Sequence, residues 1–194
     1  MSPLSLFWRW YDRLYRPLHR LQDLPIPEGT VLRLGLTRYR GRPLTLSGGT
    51  VIRRGDRIGV FHIHNEGVAA LHVPDGSPHR GALLFLDRFR STLRMLASQL
   101  VSGSFADVRA FTATTVFFTG MAKAGFDVFP LRPRPWGWVV GSYQRELVGH
   151  HHPLGKGRFK LDRFVESRAV WISREALLRR YGSTPRSAER ETRA

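Results

Sequence analysis

Residues 30–39 read Thr-Val-Leu-Arg-Leu-Gly-Leu-Thr-Arg-Tyr. Leu32, Leu34 and Leu36 fall on one side of an extended chain, and Arg33, Gly35 and Thr37 fall on the other. That period of two predicts a half-buried strand. Working outward, Gly41 to Pro43 turns the chain, and Leu44-Thr45-Leu46 faces Thr50-Val51-Ile52 across Ser47-Gly48-Gly49. Short β-prone runs separated by a glycine-containing turn predict a hairpin. Arg54-Gly55-Asp56 is a second turn, with Asp56 as its cap, and leads into a strand from Arg57 to His64. Pro25-Ile26-Pro27-Glu28-Gly29 sets this antiparallel β unit apart from what precedes it.

Beyond a loop at Pro74 to Pro78, a long amphipathic helix is expected, with Leu86, Phe89, Leu93, Leu96 and Leu100 as its buried stripe and Gly103 as its stop. Val108 to Val116 reads as a β-branched strand and Thr119 to Ala124 as a short helix. Phe126 to Phe129 is a strand, a helix lies around Trp138 to Leu147, and Ala169 to Ile172 is a last strand. Ser173 is placed to cap a helix from Arg174 to Tyr181. This order predicts an α+β fold: an N-terminal amphipathic helix over residues 1–22, one domain over 23–182, and a disordered tail over 183–194.

In the N-terminal segment Phe7, Tyr11, Leu14, Tyr15 and Leu18 recur at helical spacing, while Arg9, Arg13, Arg16 and Arg20 recur on the opposite side. Trp8 and Trp10 flank the apolar side. Pro17 stops the helix near Arg16. An aromatic face opposed to an arginine face suits an anionic membrane surface, with Trp8, Arg9, Trp10, Arg13 and Arg16 in contact, and it equally suits a terminal helix packed on its own domain.

Composition narrows the function classes. There are no cysteines, which removes disulfides, thiolate ligands and a cysteine nucleophile. No apolar run reaches the ~20 residues of a membrane span, and Arg9, Asp12 and Arg13 interrupt any signal-peptide core. The expected place is the cytoplasm, at the inner membrane face. Lys and Arg number 31 against 15 Asp and Glu, a net charge of +16 that calls for a polyanionic partner. All but Lys123, Lys156 and Lys160 of these cations are arginines, whose guanidinium pairs with phosphate or carboxylate in bidentate fashion.

Few residues carry chemistry. His62 and His64 share one face of a strand, the spacing by which two imidazoles can reach a zinc ion; His150 or His152 would have to supply a third ligand. Hydrogen bonding of the two histidines without metal is the simpler expectation, so no metal and no cofactor is assigned. His152-Pro153-Leu154-Gly155 with Lys156, Gly157 and Arg158 forms a basic loop able to approach a phosphate, but it lacks the P-loop spacing. No serine-nucleophile elbow, zinc finger or nucleic-acid reader motif is present.

Tyr39-Arg40-Gly41, Gly48-Gly49-Thr50, Gly55-Asp56 and His62-x-x-Asn65 occur in that order, followed by Gly125-Phe126-Asp127-Val128, His152-Pro153-x-Gly155 with Arg158, and Ser173-Arg174 with Leu178 and Tyr181-Gly182. This series resembles the YkoP-like bacterial family over about residues 10 to 182. The resemblance implies an uncharacterised module also found attached to polysaccharide deacetylases, hence an envelope-carbohydrate setting. The Asp-Asp and His-x-x-x-His metal motifs of the deacetylases are absent. His62, Asn65, His152 and Arg158 match the family pattern and are the candidate catalytic residues, while His64 stands where the family more often has an acid.

The leading expectation is therefore an accessory or binding protein of the cell envelope, peripheral to the inner membrane. It would engage an anionic lipid or glycopolymer and work beside envelope-polysaccharide enzymes. A hydrolase or transferase acting on an envelope carbohydrate or lipid-linked precursor comes second, with His62 as general base, Asn65 orienting a group and Arg158 holding phosphate. Nucleic-acid binding comes last, because the charge is dispersed along the chain.

Overall fold

The computed structural model describes residues 22–23, 29, 31–64, 67–68, 78–131, 137–138, 140–142, 144 and 166–182. The expected N-terminal helix with Trp8, Arg9, Trp10, Arg13 and Arg16, the tail 183–194, and Asn65, His152 and Arg158 lie outside the described residues.

In chain order the elements are β1 (Gln22–Asp23), β2 (Leu32–Arg38), β3 (Leu44–Thr45), β4 (Val51–Ile52), β5 (Arg57–Ile63), α1 (Pro78–Val101), β6 (Val108–Thr115), α2 (Phe118–Lys123), β7 (Asp127–Pro130), β8 (Arg168–Ser173) and α3 (Arg174–Tyr181). Six strands form one sheet in the order β1-β2-β5-β6-β8-β7, and β3 with β4 makes a separate hairpin. The fold is α+β, with a mixed sheet. β5 and β6 pair in parallel, and the other neighbours pair antiparallel. A parallel pair needs a crossover, which α1 supplies between β5 and β6.

One face of the sheet is covered by helices. Leu32 and Leu34 of β2, Phe61 of β5, Phe111 of β6, and Val170 with Ile172 of β8 meet Phe89, Leu93, Leu96 and Leu100 of α1 and Leu177 of α3. The period of two on the strands and the three-to-four spacing on α1 bring these positions together. Leu86 departs from expectation: it is 37% exposed. The stripe instead begins at Phe85, which packs on the core and stacks on Phe89 with ring centroids 6.2 Å apart. By helical geometry Phe85 and Leu86 flank the stripe about equally, so it is the packing around α1, not its periodicity, that buries the first and exposes the second.

The other face receives the hairpin. Leu46 and Ile52 are buried against Ile58 of β5, Ala110 of β6 and Trp171 of β8. Asp127 Oδ2 accepts from the Ser47 amide at 3.0 Å, and Thr50 Oγ1 donates to Glu175 Oε2 at 3.2 Å, fastening the hairpin tip to β7 and to the first turn of α3.

The register of β6 shifts beside the hairpin. Arg57 pairs with Val108 and Ile58 with Ala110, so Arg109 is an extra residue, a β-bulge. The bulge lets Val108 and Phe111, three residues apart, both join the helix-side core. It also directs Arg109 towards the hairpin, where its Nε donates to the Val51 carbonyl at 3.0 Å and lies 3.6 Å from Asp56 Oδ2. Gly59 permits the closest approach within the sheet: a Cβ there would stand 2.4 Å from the Phe111 ring.

Candidate functional site

Strands β5, β6 and β7 run in one direction, because β6 and β7 are both antiparallel to β8. Their carboxyl ends therefore share one end of the sheet with the beginnings of β2 and β8. Polar contacts gather there. The His64 amide donates to the Val31 carbonyl at 2.9 Å, which extends the β2–β5 ladder by one bond. Gln144 Nε2 donates to the Thr114 carbonyl at 2.6 Å, and Gln144 Oε1 accepts from the hydroxyl of the fully buried Ser167 at 2.8 Å. The Ser167 amide reaches the Gly137 carbonyl at 3.1 Å. Next in the chain, Arg168 lies 3.6 Å from Glu166 and has its guanidinium carbon 5.0 Å from the Phe118 ring centroid.

His62 is the one candidate catalytic residue whose position is described. It stands on β5, half-buried, on the face opposite the helices, since Ile58 and Val60 of the same parity join the hairpin cluster. Its register partner on β2 is Arg33, and the register partner of Arg33 on β1 is Asp23, so the three positions are aligned across three strands. Asn65 lies one residue beyond His64 in sequence, and His152 and Arg158 lie between Gln144 and Glu166. The described residues nearest them in sequence, His64, Gln144 and Glu166, lie at the end of the sheet where β5 and β6 finish. Among the described residues no group of three His, Cys, Asp or Glu side chains is arranged to hold a metal ion.

Most other motifs of the series have a structural task. The Tyr39 ring meets Trp171 edge-on with centroids 5.5 Å apart, and its hydroxyl donates to the Arg42 carbonyl at 2.7 Å. Burial pushes the Tyr39 phenol above its ordinary pKa. Asp56 accepts from the Arg53 amide at 2.8 Å, the turn cap expected of it. Ser173 Oγ accepts from the Ala176 amide at 3.0 Å, which makes it the N-cap of α3. Arg174 donates to the Leu100 carbonyl at 3.1 Å, at the carboxyl end of α1 where a cation is favoured. Tyr181 Oη donates to the Ala124 carbonyl at 2.8 Å and Arg180 to the Lys123 carbonyl at 2.7 Å, so α3 closes the end of α2. Gly125, at φ +90, follows directly, with the Arg180 side chain 2.8 Å from where a Cβ would sit.

Three features are not announced by local sequence pattern. Arg33, which strand alternation assigns to the open face, is only 8% exposed. Alternation marks which residues share a face, and it cannot say whether the second face is covered. Arg109 on the bulge and the Gln144–Ser167 hydrogen bond depend on partners distant in sequence, and no local pattern announces them.

Charge is distributed unevenly between use and surplus. Asp56, Asp107, Asp127, Glu166 and Glu175 each hold an internal partner. The hydrogen bond from Arg57, at 2.6 Å, draws the Asp107 carboxyl below its ordinary pKa. Arg40, Arg42, Arg53, Arg54, Arg90 and Arg94 are exposed, and among the described residues no carboxylate pairs with them.

The protein named uncharacterized protein YkoP, from Bacillus subtilis (strain 168), is 27% identical over 128 residues, covering 65% of this chain and 70% of that relative. No solved structure matches the chain. The family model described as the YkoP domain matches residues 3–181, a span that contains the hairpin, the sheet and the helices. The chain belongs to the YkoP domain family.

Proposed function

We propose that this protein is an accessory, binding component of the bacterial cell envelope. It engages an anionic lipid or glycopolymer from the cytoplasmic side of the inner membrane and works beside envelope-polysaccharide enzymes. The observation that carries the proposal is the charge partition: five of the six carboxylates whose side chains are described, all but Asp87, are engaged in internal contacts, while arginines stand exposed without acidic partners among the described residues. A surface left positive in this way attracts polyanions and holds them in a salt-dependent manner. No helix among the described residues is long and apolar enough to cross a membrane, which agrees with attachment from one side. The test is fractionation of cells producing the native chain: membrane-associated protein released by a high-salt wash is expected, and protein found entirely in the soluble fraction refutes the proposal.

A specific observation favours hydrolase or transferase chemistry as the second reading. The Asp23–Arg33–His62 row places a titratable imidazole beside a buried guanidinium at the sheet end nearest in sequence to Asn65, His152 and Arg158. In this reading His62 is the general base and Arg158 binds phosphate. His62→Ala and Arg158→Ala should each abolish turnover of a lipid-linked precursor while leaving the thermal transition in place; loss of the transition in both variants would make these residues structural.

A further inference from the structure

The surface that meets the anion can be located. We infer that it is the end of the sheet formed by the β2–β3 and β4–β5 turns, and that its ligand is the phosphate layer of an anionic lipid bilayer; this rests on the anionic-ligand reading above. The two turns are laced together. The Tyr39 amide donates to the Asp56 carbonyl at 2.8 Å, the Gly55 amide donates to the Tyr39 carbonyl at 2.8 Å, and Arg38 Nη1 reaches the Gly55 carbonyl at 2.9 Å. On that frame Arg40 and Arg42 stand exposed from one turn, and Arg53 and Arg54 from the other.

The acids nearby do not neutralise them. Asp56 is held by the Arg53 amide and by Arg109, and Asp107 is held by Arg57. None of the four exposed guanidinium groups has a carboxylate partner among the described residues. The same end includes Lys123, because β7 starts there in parallel with β6. Guanidinium groups on adjoining turn tips present several bidentate donors to a layer of phosphates at once.

The surroundings favour a bilayer over nucleic acid. Single-stranded nucleic acid is held by aromatic rings on which bases stack. The exposed Phe117 and Trp138 follow β6 and β7, at the opposite end of the sheet. Tyr39, beside the arginines, has its ring against Trp171 and its hydroxyl committed to Arg42. Val101, the last residue of α1, is 73% exposed at the arginine end, an apolar side chain at the height of the headgroups.

The experiment is co-sedimentation of the full chain with vesicles of phosphatidylcholine alone or mixed with phosphatidylglycerol. Binding only to the mixed vesicles is expected, and Arg40→Gln, Arg42→Gln, Arg53→Gln and Arg54→Gln should each weaken it about fivefold, with the four together costing on the order of several hundredfold. Lysine at the four positions should retain most of the binding. A control with the same loss of charge, Arg80→Gln, Arg90→Gln, Arg94→Gln and Arg179→Gln, should stay close to the native chain. If the four-turn variant loses its thermal transition, the single substitutions carry the test. Equal losses in both charge-matched variants, or undiminished binding by the turn variant, would overturn the turn assignment while leaving the anionic reading intact. Binding to a soluble anionic polysaccharide without binding to vesicles would overturn the lipid assignment. A native chain that binds neither overturns the reading on which it rests.

Discussion

Replacing Gly59 with alanine probes how the two halves of the sheet are locked together. Gly59 sits in mid-β5 with its hydrogens towards the helix-side core. A Cβ there would lie 2.4 and 2.7 Å from two carbons of the Phe111 ring and 2.9 Å from Leu34 Cδ1. Carbon atoms in contact normally stand about 3.5–4.0 Å apart, so the ring must retreat by roughly an ångström. It has little room to do so. Phe111 and Leu34 are fully buried, and Phe111 stacks on Phe61 with centroids 5.5 Å apart. Overpacking of this kind costs about 1–3 kcal/mol, and the lower unfolded-state entropy of alanine offsets about 0.4–1 kcal/mol. The net loss is about 1–2 kcal/mol, or roughly 2–8 °C in Tm for a chain of this size. Urea unfolding followed by tryptophan fluorescence should show a lower midpoint with an unchanged slope. Phe111→Leu in the Gly59→Ala background should cost less than Phe111→Leu alone, because the two changes share one space. A variant as stable as the native chain, or strict additivity in the cycle, would refute the packing account.

Four further outcomes follow from contacts already described. Ser173→Ala should lower stability by about 1 kcal/mol through loss of the N-cap of α3, read as a shift in urea midpoint. Tyr181→Phe should cost about 1 kcal/mol because the Ala124 carbonyl loses its donor, and its effect should add to that of Ser173→Ala, since the two lie at opposite ends of α3. Gly125→Ala should destabilise through its positive φ and its contact with Arg180; a neutral result in urea would contradict that geometry. The fourth concerns pH: because the folded pKa of Asp107 is depressed, its contribution is present above the unfolded carboxylate value and is lost as pH falls through the folded one. Asp107→Asn should therefore lower the midpoint in the neutral region and leave the acid end of the curve unchanged, which flattens the acid limb of a midpoint-versus-pH plot.

The local signals in the chain were legible, and the distant ones were not. Alternation in Leu32–Leu36, the glycine turn between β3 and β4, the apolar spacing of α1 and the Ser173 cap each depend on neighbours within a few residues, so the elements they announce are present. Strand order depends on which elements meet, and nothing in β5 or β6 alone declares that they pair in parallel. The bulge at Arg109, the burial of Arg33 and the exposure of Leu86 all follow from tertiary contacts that override local pattern. The family motifs show the same division. Tyr39, Asp56, Ser173, Arg174 and Tyr181 turn out to hold turns and helix ends. Of the candidate catalytic residues, His62 has a defined place, opposite Arg33 in register. Its row with Asp23 was hidden because β1, β2 and β5 are brought side by side only by the sheet.

On the function proposed above, the exposed positive charge of this chain holds an anion. The most direct measurement is the partition coefficient of the native full chain onto phosphatidylglycerol-containing and neutral vesicles over a series of salt concentrations. Binding restricted to the anionic vesicles and falling steeply as salt shortens the Debye length to about 3 Å near 1 M is the predicted result. Equal partition onto both vesicle types, or no binding even at low salt, would contradict it.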